Sequence, residues 1–139
     1  HYSAAKWALE GLSEALAFEL AEFDVRVALI EPGSVPTPAW EKGTPPPPDS
    51  HYMNSLQRLG QWATHTMKNP AATLDVAKAV AHAIESDTPH FRYPVGQDAI
   101  EDIAGRASVS DDEWIEANRL QGDSFRQRWK EIVGVDYFG

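Results

Sequence analysis

One short segment, VRVALI at residues 25–30, constrains the fold of this chain more than any other. It is rich in β-branched and apolar residues, and it lies between a turn at Asp24 and a break at Pro32 and Gly33, so it is predicted to be a strand. Its apolar character is nearly continuous rather than alternating. That pattern is typical of a strand covered on both faces in a parallel sheet.

Helical and strand patterns alternate along the chain. Strong helix formers dominate from Ser3 to about Glu22, and apolar residues at helical spacing predict helices over 52–67 and 74–86. A second strand is predicted over 91–95, followed by Gly96. Strands that alternate with helices indicate the α/β class with parallel strands. Because two strands alone make a marginal sheet, the pattern predicts half of a larger fold.

The C-terminal part of the chain is predicted to be helical. Thr73 is expected to cap the helix that follows it. The segment SDDE at 110–113 has the form of a capping box and predicts a helix that runs to about Leu120. The spacing of apolar residues over 125–132 predicts one more helix. Trp114 and Trp129 are expected to anchor these helices to the body of the protein or to a second subunit.

Residues 34–70 have a different composition, with Pro36, Pro38 and four consecutive prolines at 45–48. Such a long irregular segment is typical of a lid, a binding loop or disorder. We interpret the proline run as part of a lid or linker, with a polyproline II ligand for another domain as the alternative. Three aromatic side chains would either contact an apolar substrate or pack this segment down: Trp40, Tyr52 and Trp62.

The composition excludes several classes of function. A net charge of -9 argues against binding a nucleic-acid backbone, and the absence of cysteine excludes disulfides and thiolate metal sites. No apolar run approaches the roughly 20 residues that span a bilayer. The five histidines show no zinc-binding spacing, and the acidic cluster at 111–113 suits a solvated helix N-terminus better than a cation site. We expect a cytoplasmic protein that binds neither nucleic acid nor membrane.

Tyr2 and Lys6 are four positions apart and therefore share one face of the first predicted helix. A free tyrosine has a pKa of about 10 and is a poor base at neutral pH. A nearby ammonium favours the phenolate and lowers that pKa, which lets the side chain exchange a proton in the physiological range. The pair is chemically sensible, although a helix of this length often holds such a pair by chance.

Further segments at matching distances make the pair specific. Together they resemble the short-chain dehydrogenase/reductase family in its active-site YxxxK helix, the strand that follows, and a PGxVxT segment. The segments that carry the resemblance are YSAAK at 2–6, ALEGLSEAL at 8–16, VRV at 25–27 and EPGSVPT at 31–37. A looser similarity continues through the helix at 73–86 and the strand at 92–96.

The resemblance implies the C-terminal portion of a doubly wound Rossmann-like parallel sheet with a helical C-terminal extension. Residues 1–105 would form the C-terminal half of the family's domain, with a substrate lid at about 38–70. Residues 106–139 match no general motif of the family and would form the extension.

The resemblance also implies hydride transfer between NAD or NADP and a small carbonyl or alcohol substrate, without choosing between the two cofactors. Tyr2 would be the general acid/base. Lys6 would bind the nicotinamide ribose and lower the pKa of Tyr2. The residues implied to bind the cofactor are Tyr2, Lys6, Pro32, Gly33, Val35 and Thr37.

Several parts of the family's pattern are missing from this chain. There is no glycine-rich phosphate-binding turn, no Asn-Ala-Gly segment and no serine upstream of Tyr2. We therefore expect a fragment that is inactive alone and whose partner is the missing N-terminal half. A stripe of small residues suits close packing in a homodimer or homotetramer of the full-length protein: Ala4, Ala8, Gly11 and Ala15. Two alternatives stay open, a non-enzymatic interaction module that reuses the half-fold and a degraded reductase gene product.

Overall fold

The structure is a computed structural model that describes residues 1–43, 47 and 49–139. The predicted proline run lies outside the described residues except for Pro47. Short 3-10 helices cover Ala21–Phe23 and Pro38–Lys42. The main elements are, in chain order, helix α1 (Tyr2–Leu20), strand β1 (Leu29–Pro32), helices α2 (Met53–Thr66) and α3 (Thr73–Glu85), strand β2 (Arg92–Val95), and helices α4 (Gln97–Ala107), α5 (Asp111–Arg119) and α6 (Gly122–Val133).

Strands β1 and β2 pair in parallel, in a register that aligns Leu29 with Arg92 and Pro32 with Val95. The N–H of Gly33 continues the ladder by donating to the Val95 carbonyl at 2.9 Å. Helix α3 packs against both strands and carries the crossover between them. The α/β class with parallel strands is therefore confirmed, and this β-α-β unit is part of a Rossmann-like fold.

The predicted bounds of the first strand were partly wrong. The strand starts at Leu29, and residues 25–28 are not in strand conformation, because β2 supplies partners only from Arg92 onward. Pro32, predicted to end the strand, is its last residue. A proline is tolerated there because the end of a ladder does not need its missing N–H.

Arg26, predicted to lie in the strand, instead ties this segment to the end of α3. Its guanidinium donates to the carbonyls of Ser86 at 2.7 Å and Ile84 at 3.0 Å. These carbonyls belong to the last turn of a helix, where no intrahelical donor is available. The side chain therefore satisfies acceptors that the helix leaves open.

Two expectations about helix starts have different outcomes. Thr73 was predicted as a cap, but it is the first residue of α3; Ala72 holds the N-cap position, without a side-chain hydrogen bond. The capping box before α5 is confirmed. The Ser110 hydroxyl accepts from the Glu113 N–H at 3.2 Å, and the Ser110 N–H donates to the Glu113 carboxylate at 2.9 Å. The Ser110 N–H and the Ser110 hydroxyl, which also donates to this carboxylate at 2.9 Å, hold the pKa of Glu113 below its usual value.

Helix α4 was not predicted from the sequence. It begins after Gly96, which has a φ of 103°. Helix α4 also crosses residue 105, where the sequence predicts a domain boundary. That boundary stays a prediction.

Gly105 lies against Val133 of α6, and a Cβ at this position would lie 2.9 Å from the Val133 Cα. The glycine therefore permits a close approach of α4 and α6.

The largest hydrophobic cluster lies in the C-terminal part of the chain rather than at the sheet. The rings of Trp114 and Trp129 pack 4.8 Å apart beside it, so both side chains hold the tail helices together. Trp62 of α2 also packs against this cluster. Its buried members are Ala117, Ile132, Val133 and Tyr137.

Most residues of helix α1 are exposed. Ser13 is its only buried residue, while Trp7 is 75% and Phe18 86% exposed. An ion pair links it to the sheet, since the Arg92 guanidinium lies 2.5 Å from the Glu10 carboxylate and 2.6 Å from that of Glu31. Within the described residues, no helix has the length and apolar character needed to cross a bilayer.

Candidate active site

Tyr2 and Lys6 lie together on the first turns of α1. The N–H of Ala5 donates to the His1 carbonyl at 3.0 Å, so the helical hydrogen bonds begin at the first residue. The Lys6 Nζ lies 5.6 Å from the centroid of the Tyr2 ring, within the range of a cation–π contact. The Tyr2 side chain is 77% exposed, so its hydroxyl is accessible. The predicted sharing of one helix face is therefore present.

The carboxyl end of β1 leads into a turn, Gly33–Thr37, whose one buried residue is the fully buried Ser34. Its N–H donates to the Asp98 carboxylate at 2.6 Å. Its hydroxyl shares a hydrogen bond of 2.6 Å with the Thr66 hydroxyl, and its carbonyl accepts from the Ala71 N–H at 3.0 Å. All three polar groups of Ser34 are thus paired, which holds the turn in one conformation.

Asp98 lies against two glycines. A Cβ on Gly33 would collide with the Asp98 carboxylate, and a Cβ on Gly96 would lie 2.7 Å from its Oδ1. Gly96 also has a positive φ, which favours glycine. Asp98 itself is only 8% exposed. The carboxylate therefore fits beside the turn only because both neighbours lack side chains.

The last residues of the turn face the predicted lid. The Trp40 indole N–H donates to the Val35 carbonyl at 2.8 Å and attaches the 3-10 helix Pro38–Lys42 to the turn. Thr37 is exposed at the N-cap of this helix and makes no side-chain capping bond. Within the described residues, the Val35 N–H and the Thr37 hydroxyl have no hydrogen-bond partner.

The predicted site residues form two groups. Tyr2 and Lys6 are at the start of α1, and Pro32 to Thr37 are at the carboxyl end of β1. Among the described residues no hydrogen bond or ion pair joins the two groups directly; Arg92 connects their elements through Glu10 and Glu31. Each group is locally ordered, and their common role stays a prediction.

Sequence reasoning missed Ser34, Thr66 and Asp98 as partners. Asp98 is the second residue of α4, where an acidic side chain is favourable in any helix, so its sequence position carries no specific signal. Ser34 was noted only as part of the PGxVxT segment. The hydrogen bond between Ser34 and Asp98 joins residues 64 positions apart, which no local pattern could reveal.

Helix α2, which lies within the predicted lid, is attached to the C-terminal helices. The Trp62 indole N–H donates to Asp102 at 3.0 Å, and the Arg58 guanidinium stacks on the Phe125 ring at 3.5 Å from its centroid. Arg58 also donates to the Leu120 carbonyl. Of the two roles considered for Trp62, packing the lid down is the one its contacts support.

Burial raises the pKa of Asp102 to about 6, and its Oδ1 is buried without a partner in the described part of the chain. In the unfolded chain an aspartate titrates near pH 4, so the folded state binds the proton more tightly between about pH 4 and 6. The stabilisation from this group is therefore complete below about pH 4 and is lost as the pH rises through 6.

We expect Asp102→Asn to gain stability relative to the unmodified chain as the pH rises. Asparagine keeps an acceptor for Trp62 and removes the buried charge. The gain between pH 4.5 and 7.5 should be about 1–2 kcal/mol, after discounting for partial exposure. Urea unfolding of both proteins at the two pH values measures it. Asp87→Asn, in an exposed loop, should show no such pH trend; an equal trend in both variants would contradict the role of burial.

Comparison with known proteins places the N-terminal segment in a family. The family model described as short chain dehydrogenase matches residues 1–46, which include Tyr2, Lys6 and the turn. An oxidoreductase of Botryotinia fuckeliana is 31% identical over 123 residues, covering 83% of this chain and 44% of the relative. The chain is therefore similar to the short-chain dehydrogenase/reductase family. The predicted resemblance is thus confirmed.

An oxidoreductase and a dehydrogenase match the chain over similar lengths. An uncharacterized oxidoreductase of Schizosaccharomyces pombe is 29% identical over 120 residues, covering 86% of this chain and 51% of the relative. Human retinol dehydrogenase 5 is 28% identical over 115 residues, covering 70% of this chain and 36% of the relative. The chain spans about half the length, or less, of these relatives. No solved structure matches it significantly.

Proposed function

We propose that this chain is the C-terminal part of an NAD(P)-dependent short-chain oxidoreductase that acts on a carbonyl or alcohol substrate. The observation that carries the proposal is the Tyr2–Lys6 pair on an exposed helix face, within the segment that matches the family model. The bound nicotinamide cofactor would supply or accept the hydride. The side chains of this chain would supply the proton and hold the cofactor.

Tyr2 would donate a proton to the substrate oxygen during reduction and accept it during oxidation. Lys6, one helical turn away, would hold the ribose hydroxyls beside it. Pro32 and Gly33 would line the nicotinamide ring. Val35 and Thr37 fit a carboxamide, because the Val35 N–H and the Thr37 hydroxyl have no partner among the described residues.

The exposed surface of α1 supports the expectation that other protein normally covers it. The helix exposes large apolar side chains that a complete domain would bury, namely Trp7, Leu12 and Phe18. The stripe from Ala4 to Ala15 is exposed as well, with open space around Gly11. We propose that the remaining half of the domain and a second subunit, in a homodimer or homotetramer, cover these faces.

We expect residues 1–139 alone to show no tight binding of NADH or NADPH and no turnover, because the phosphate-binding turn is not in this chain. The protein made from the complete reading frame should bind one of the two cofactors and reduce carbonyl compounds. Fluorescence titration with each dinucleotide, followed by a carbonyl screen, measures both. Micromolar binding by residues 1–139 alone would contradict the expectation.

The second candidate is a non-enzymatic interaction module, which the exposed apolar surface of α1 also favours. The two candidates differ in the DNA directly upstream of His1. A continuous frame that encodes a glycine-rich turn and a serine supports the oxidoreductase. A start codon immediately before His1 supports the interaction module.

A further inference from the structure

We infer that Asp98 is a positioning residue for the cofactor: it holds the turn Gly33–Thr37 in the shape that receives the nicotinamide end. The inference rests on the proposed function and extends it to a residue outside the Tyr–Lys helix and the PGxVxT segment. It assigns Asp98 no contact with the substrate. Its action would pass through the backbone of Ser34.

The first argument is the cost of burying this carboxylate. A buried carboxylate loses its hydration and is tolerated only when hydrogen bonds replace the water. Asp98 is 8% exposed, and among the described residues no cation pairs with it. The bond it accepts from the Ser34 N–H, at 2.6 Å, is short and charge-assisted. That bond joins the N-terminal end of helix α4 to Ser34 in the Gly33–Thr37 turn.

The second argument is the shape of the surroundings. Gly33 has no room for a Cβ, and the atoms that occupy this space are those of the Asp98 carboxylate. Gly96, on the other side, would also approach the carboxylate if it carried a Cβ. A helix-capping acid needs neither glycine. Two glycines around one acid indicate that the carboxylate is fitted to the turn itself.

The third argument is the position of Ser34 in the chain. It lies between Gly33 and Val35, both proposed to contact the cofactor, and its N–H direction fixes the peptide plane that joins it to Gly33. Its hydroxyl meets Thr66, the last residue of α2. Asp98 therefore controls the orientation of the peptide between Gly33 and Ser34. The side chain of Ser34, by contrast, binds the end of α2.

The experiment uses the complete oxidoreductase with Asp98→Leu and Asp98→Asn, and measures the dissociation constant of the reduced cofactor, the KM of the carbonyl substrate and Tm. Leucine removes the acceptor and should weaken cofactor binding about 10- to 100-fold. Asparagine keeps a neutral acceptor and should weaken it only about 3- to 10-fold. The KM of the carbonyl substrate should stay within about twofold in both.

Asp112→Leu is the matched control, because Asp112 is also the second residue of a helix but is exposed. It should leave the cofactor dissociation constant unchanged. If the folded Asp98 variants bind the cofactor as tightly as the unmodified enzyme and differ only in Tm, the inference is overturned and Asp98 is merely structural. Should Asp98→Leu fail to fold, Asp98→Asn decides by the same criterion.

A different result would contradict the proposed function itself. If the unmodified complete protein binds no dinucleotide, both the proposed function and the role of Asp98 are wrong. Normal binding by the unmodified enzyme together with unchanged binding by the variants overturns the Asp98 inference alone.

Discussion

Replacing Tyr2 by phenylalanine in the complete oxidoreductase is expected to lower kcat by about 10²- to 10⁴-fold, the usual contribution of a positioned general acid. Phenylalanine keeps the ring beside Lys6 and removes only the hydroxyl that would exchange the proton. Cofactor affinity should fall by less than about tenfold, because a single hydrogen bond is lost. Steady-state kinetics and dinucleotide titration measure the two quantities separately.

Thr88→Val is the matched control for this experiment. It also removes only an exposed hydroxyl, in the loop between α3 and β2, and the proposed site does not include it. It should leave kcat within about twofold. Equal activity of the two variants would show that Tyr2 is not the acid/base, and the proposed mechanism would have to be abandoned.

Replacing Gly33 by alanine is expected to destabilise the chain and disrupt the turn. The new methyl group would occupy the space of the Asp98 carboxylate, and that carboxylate cannot move away without giving up its bond to Ser34. Overpacking of this kind costs about 1–3 kcal/mol of unfolding free energy. Urea unfolding of residues 1–139 measures it, so the result does not depend on the proposed catalytic activity.

Gly11→Ala provides a control with the same chemical change. Gly11 is in the middle of α1 with open space around it, and alanine there should stabilise the helix by about 0.5–1 kcal/mol. The two variants should thus shift the unfolding midpoint in opposite directions. A stabilising effect of Gly33→Ala would mean that the turn is looser than the close approach of Asp98 indicates.

Features that depend on neighbours in the chain were predictable. The capping box Ser110–Glu113 joins residues three positions apart, and the Tyr2–Lys6 pair joins residues one helical turn apart. In both cases helix geometry alone places the side chains together. The extent of β1 was less predictable, because a strand exists only where a partner pairs with it.

Helix α4 and the surroundings of Asp98 were missed for a related reason. Asp98 is an ordinary acid in the first turn of a helix until the fold brings Ser34 against it across 64 positions. Trp62 similarly could have faced a substrate, and only its bond to Asp102 shows that it packs α2 against α4. Burial and long-range hydrogen bonds depend on which elements contact each other in the fold. The local sequence of each element does not determine those contacts.

The sequence by itself determined the family resemblance, through its motifs. It also determined the β-α-β order and the helix face that carries Tyr2 and Lys6, because these follow from short-range spacing and local propensity. The tertiary structure alone decided the register of the two strands, the location of the main core among the C-terminal helices, and the buried junction of Ser34, Thr66 and Asp98. That junction forms only when the turn after β1, α2 and α4 converge, since each of the three supplies one polar group whose burial is tolerated only with the others present.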